Sequence, residues 1–120
     1  MHFNDLNAYK ISFPLSNYCW DLVKDWEYLA KVTVGLQLIR ALDSISANIA
    51  EGFGRYGKKD KIKFYHYSLG SINESIDWIE KAHLRQLITE KQYNYILSEL
   101  QKLPCEVYSL IKFTREKLTI

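Results

Sequence analysis

The chain is poor in everything that interrupts a helix: 120 residues hold only two prolines and five glycines. Strand-like alternation nowhere lasts more than a few residues, which argues against a β-rich fold. No run of about 18 consecutive apolar residues exists, so no transmembrane helix is expected. The first ten residues, MHFNDLNAYK, lack a basic stretch followed by an apolar one. No signal peptide is therefore expected, and a cytoplasmic location is the default. Cysteine is scarce too. Cys19 and Cys105 lie far apart in neither a Cys-x-x-Cys nor a Cys/His spacing, so buried free thiols are expected rather than a metal site or disulfide.

What the chain does hold is 48% hydrophobic and 25% charged residues, ordinary for one soluble globular domain spanning 1–120. Four helical segments are readable from apolar spacing. The first runs from about Asn4 to Trp26, kinked at Pro14, with Leu6, Tyr9, Phe13, Trp20 and Val23 along one stripe. A second stripe holds Ile11, Leu15, Tyr18 and Leu22. The second helix spans about Val34 to Gly54, with Leu38, Leu42, Ile45, Ile49 and Phe53 inward. The third, about Lys58 to His83, carries Ile62, Tyr65, Leu69, Ile72, Ile76, Ile79 and His83 in steps of 3 and 4. That heptad period belongs to helices packed nearly antiparallel. Thr89 and Gln92 form a capping box that opens the fourth helix, which runs to about Leu118 and is expected to bend at Pro104. Short connections between long amphipathic helices predict an all-α, antiparallel up-down four-helix bundle.

No catalytic or metal constellation emerges. Di-iron bundles need two Glu-x-x-His motifs. Only Glu80 and His83 supply one, because neither His2 nor His66 has a Glu three residues earlier. Ser44 and Ser46 have no nearby histidine, and nothing resembles a nucleophile elbow. EGFGR (51–55) is a near miss for a phosphate loop, but its glycines end a helix, where N–H groups point away from an anion. No enzyme, cofactor or metal is expected.

Two features point elsewhere. Residues 55–63, RYGKKDKIK, set Arg55, Lys58, Lys59, Lys61 and Lys63 against Asp60 alone, a local charge of +4 in a chain of net +2. Tyr56, Phe64, Tyr65 and Tyr67 lie beside them, the pairing of cations with aromatic rings that single-stranded nucleic acid requires. Lysines at a helix start also oppose the macrodipole, which favours a compensating partner. The second feature is SISANIAEG (44–52). Helical stepping gives a polar line of Arg40, Ser44, Asn48 and Glu51, only about 60° from Ile45 and Ile49. Asp43, Ala47, Ala50 and Gly54 make a third line of mostly small residues. These lines suit a core edge or a subunit interface better than a solvated face.

The segment GLQLIRALDSISANIAEGFGR (35–55), the Lys-rich turn, FYHYSLGSINE (64–74) and a C-terminal helix together resemble the 23S rRNA intervening-sequence proteins. The most specific match is Arg40, Ser44, Ile45, Asn48, Ile49, Ala50, Glu51 and Gly52. The connection WEYLAKVTVG departs from the family pattern. The resemblance implies a four-helix bundle assembled as a homopentameric barrel without enzymatic activity. A related member, the accessory protein of diversity-generating retroelements, binds nucleic acid and a reverse transcriptase. The expected partners are therefore further copies of this chain and RNA or DNA; the alternative is a protein–protein scaffold serving a reverse transcriptase or another locally encoded protein.

Overall fold

The computed structural model describes residues 1–118. Among them are four long helices and no strand: α1 (Asn7–Val23), α2 (Leu36–Gly54), α3 (Lys58–Leu84) and α4 (Glu90–Lys117). A short 3-10 turn, Phe3–Asp5, precedes α1. Among the described residues no helix is long and apolar enough to cross a membrane.

Each helix packs against two others, and the pairings that mark direction are all antiparallel. Ser16 lies near Asp43 across α1–α2. The Ser68 hydroxyl donates to the Ile45 carbonyl (2.9 Å) across α2–α3. His83 meets Glu90 at one end of α3–α4, while Lys58 reaches the Arg115 carbonyl at the other. The Tyr18 and Tyr95 rings meet tilted, 4.9 Å between centroids, across α1–α4. The bundle is a rod, 50 × 23 × 21 Å.

The expected helices form, with informative differences. Thr89 and Gln92 cap α4 reciprocally, as their spacing predicts. Both α1 and α4 run unbroken through Pro14 and Pro104. The expected first helix is too long, because Leu6 is extended and separates the 3-10 turn from α1. Its first stripe also needs correction: Phe13 and Trp20 are exposed, at 48% and 58%. The buried seam is instead Ala8, Ser12, Leu15, Ser16, Cys19 and Val23. Small residues at these positions let α2 and α4 come close, and the large rings are turned outward.

The same substitution of small for large recurs on α3. Ser68, Ser75 and Ala82 are fully buried, one heptad apart, alongside Tyr65, Ile72 and Ile79. Ile62, Leu69, Ile76 and His83 flank the seam half-buried. Burial of a serine hydroxyl requires a partner, and Ser68 and Ser75 find backbone carbonyls at Ile45 and Ser71. Cys19 is buried as expected, but Cys105 is exposed. It stands two residues, some 200° of helix, beyond the buried Leu103.

Before α2, a helical turn at Tyr28–Ala30 runs into a five-residue π-helical segment, Lys31–Gly35. Gly35 explains the tight passage: a Cβ there would lie 2.6 Å from Val23 Cγ1. The widened turn brings α2 against the end of α1 where only glycine fits.

Candidate functional site

The predicted basic cluster falls at the junction of α2 and α3, where the chain reverses through Arg55, Tyr56 and Gly57. The reversal is tight because α2 and α3 nearly touch at Gly52. A Cβ on Gly52 would lie 2.7 Å from Tyr65 Cε1 and 3.0 Å from the Lys61 carbonyl oxygen.

The five cations divide into two groups. Lys58 and Lys61 turn back on the bundle. The Lys58 ammonium donates to the carbonyls of Arg115 and Leu118, both at 3.2 Å. Lys61 donates to the Phe53 carbonyl at 2.6 Å, and burial lowers its pKa. Both lysines thus supply donors to carbonyls at C-terminal helix ends, where the macrodipole is negative. The unfavourable placement of lysines at the start of α3 therefore has an answer inside the fold.

Arg55, Lys59 and Lys63 remain on the surface. The Arg55 guanidinium lies 4.6 Å from the Phe64 ring centroid and the Lys63 ammonium 5.3 Å. Phe64 meets Tyr67 edge-on at 5.4 Å, and Tyr56 is 82% exposed at the turn. Arg55 also pairs with Glu51 (3.1 Å) and Lys63 with Asp60 (3.7 Å). Such exposed pairs are worth well under about 1 kcal/mol and yield readily to a phosphate.

The polar line of α2 ends in this surface. Ser44 and Asn48 are half-buried, while Arg40 and Glu51 are exposed. The Asn48 amide donates to the Ser44 carbonyl at 2.8 Å, satisfying itself on its own helix. Of the small line, Asp43, Ala47 and Gly54 are exposed and Ala50 half-buried. Partial desolvation raises the Asp43 pKa, and the nearby Ser16 hydroxyl acts against that rise.

Sequence reasoning did not anticipate the apolar face beside the small line. Trp20 and Leu36, both exposed, border a hollow of about 260 Å³ with Val32 and Ile39. Its only trace in the sequence is Trp20, which apolar spacing places in the core stripe of the first helix. At the same end of the rod, away from the basic cluster, Glu80 accepts a hydrogen bond from the Tyr93 hydroxyl. His83 stacks on Tyr93 (3.8 Å between centroids) and contacts Glu90 at 3.1 Å. The Glu80–His83 pair is thus engaged with α4 side chains, and no group of three metal-ligating residues occurs among the described residues.

The family model described as "23S rRNA-intervening sequence protein" matches residues 4–109. A solved structure of a protein of unknown function from the S23 ribosomal protein family of Bacteroides thetaiotaomicron is similar at 25% identity and a TM-score of 0.79. The match covers 93% of this chain and 99% of that one. No curated protein matches.

Proposed function

Because the chain belongs to the 23S rRNA-intervening sequence protein family, we propose that it is a non-catalytic, homo-oligomeric bundle that binds RNA or DNA at the α2–α3 junction. The observation that carries this reading is Phe64 flanked by Arg55 and Lys63, with Tyr56 and Tyr67 beside it. Cations over a ring, next to an open tyrosine, offer phosphate contacts and stacking surface together. The contacting set is Arg55, Lys59 and Lys63. Lys58 and Lys61, although part of the same run of sequence, serve the bundle. Repetition of the patch around an oligomer multiplies a modest local charge into a substantial field.

The test is a salt titration of binding to single-stranded and hairpin RNA and DNA. The triple change Arg55→Glu, Lys59→Glu, Lys63→Glu is expected to weaken binding and reduce the slope of log affinity against log salt by about two or more. Unchanged affinity and slope refute the reading. Light scattering tests the assembly: a pentamer, as the family resemblance implies, weighs five times 14.2 kDa.

One observation favours a second reading, a protein–protein scaffold without a nucleic-acid role. The hollow between Trp20 and Leu36 is almost wholly apolar and leaves both side chains exposed. Exposed apolar patches of this kind mark protein contacts. Recovery of a partner, such as a locally encoded reverse transcriptase, that survives nuclease treatment supports this reading over the first.

A further inference from the structure

Next to the proposed nucleic-acid surface, a hollow of about 360 Å³ lies where the ends of α2 and α4 and the start of α3 meet. Leu6, Phe53, Leu110 and Phe113 give it apolar walls, and Lys61 and Tyr65 contribute polar groups. Lys61 and Tyr65 stand one turn apart on α3, so their side chains share a face.

The hollow contains a charge that has no counterion among the described residues. The neighbouring ion pairs, Arg55–Glu51 and Lys63–Asp60, leave Lys61 out. Its ammonium spends one donor on the Phe53 carbonyl. Two of its three donors are left for a ligand. The Tyr65 ring is 1% exposed, and burial pushes its phenol up to about 12, so the hydroxyl stays protonated as a donor. A half-buried ammonium and a phenol donor in the wall of an apolar hollow complement one ligand chemistry: an anionic head on an aliphatic tail. Charge-assisted hydrogen bonds would hold the head, and burial would hold the tail.

We propose that this hollow is a binding site for a medium-chain acyl anion, with Lys61 and Tyr65 holding the carboxylate and Leu6, Phe53, Leu110 and Phe113 enclosing the chain. At roughly 30 Å³ per small group, the volume holds about twelve non-hydrogen atoms, the size of decanoate. The site lies within the range of small-molecule pockets. It does not depend on the nucleic-acid reading, because Lys61 faces away from that surface. An anion beside Lys61 also reverses the effect of burial and restores the ammonium to its ordinary range.

Calorimetric titration of the full-length protein with decanoate, decanol and decyltrimethylammonium tests the site. Decanoate is expected to bind saturably, one per chain, and at least about tenfold more tightly than the cationic amphiphile. Lys61→Met is expected to weaken decanoate about tenfold or more and leave decanol nearly unchanged. Leu110→Trp, which fills the chamber, is expected to abolish both. The headgroup comparison uses the unaltered protein, so it decides the matter even where a variant folds poorly. Absence of saturable decanoate binding overturns the proposal, as does equal affinity for the anionic and cationic heads. Undiminished decanoate binding by a folded Lys61→Met protein overturns it as well.

Discussion

Replacing Gly52 by alanine sets two effects of known size against each other. Helix propensity favours alanine by about 1 kcal/mol in a helix interior. The backbone imposes no objection, since no glycine in the described residues has positive φ. Packing opposes the change. The new methyl would stand 2.7 and 2.9 Å from two carbons of the Tyr65 ring and 3.0 Å from the Lys61 carbonyl oxygen. Tyr65 is 1% exposed and can shift only toward the neighbouring hollow, and the carbonyl belongs to the backbone of α3. Overpacking of this kind costs about 1–3 kcal/mol, so the net expectation is a loss of about 1 kcal/mol. Gly70 supplies the control, because it lies exposed in mid-α3 and a Cβ there meets nothing within 4 Å. Gly70→Ala is expected to gain close to the full propensity term, about 1 kcal/mol. Urea unfolding of both variants measures the difference, and a thermal melt should separate them by roughly 8 °C, at about 4 °C per kcal/mol. If Gly52→Ala is as stable as Gly70→Ala, the two helices do not approach at Gly52 as described.

Three further outcomes follow from groups wholly or partly shielded from solvent. Ser12 has a buried hydroxyl with no hydrogen-bond partner, so Ser12→Ala is expected to stabilise the fold by about 1 kcal/mol in chemical denaturation; destabilisation would contradict its orphaned state. Burial pushes the Cys19 thiol up to about 12 while Cys105 is exposed, so a thiol reagent should modify one cysteine in the native protein and two only after unfolding. The Asp43 carboxyl has its pKa raised above 3.8 by burial, so the folded state holds its proton to higher pH than the unfolded chain. Stability therefore falls as pH rises from about 4 through the raised pKa, and Asp43→Asn should flatten that part of the profile. An unchanged profile would count against the partial desolvation of that carboxyl.

The helices themselves were legible in the sequence, because apolar side chains recur on one face of each and the Thr89–Gln92 box marks a start without tertiary help. The seams were less legible. Hydrophobic stepping gives weight to Phe13 and Trp20 and none to Ser12, Ser16, Ser68 or Ser75. Yet close helix contact favours small side chains, and a serine can return its hydroxyl to a backbone carbonyl. The π-helical segment at Lys31–Gly35 has no periodic signature, since one altered turn is too short to shift an apolar stripe. For the basic cluster, spacing placed five cations together but did not say which way each points. Lys58 and Lys61 differ from Lys59 and Lys63 only in which neighbouring helix end lies within reach, a property of the assembled bundle.

The ammonium of Lys58 joins residues almost sixty positions apart, binding the last turn of α4 to the first turn of α3. Terminal helical turns ordinarily fray, opening and closing far more often than the protein unfolds. Here the amides of the final α4 turn should exchange with solvent at a rate governed by a side chain in a different helix. The far end of the chain thus takes its local stability from its middle, and a substitution at Lys58 would be felt first at Thr114 to Leu118.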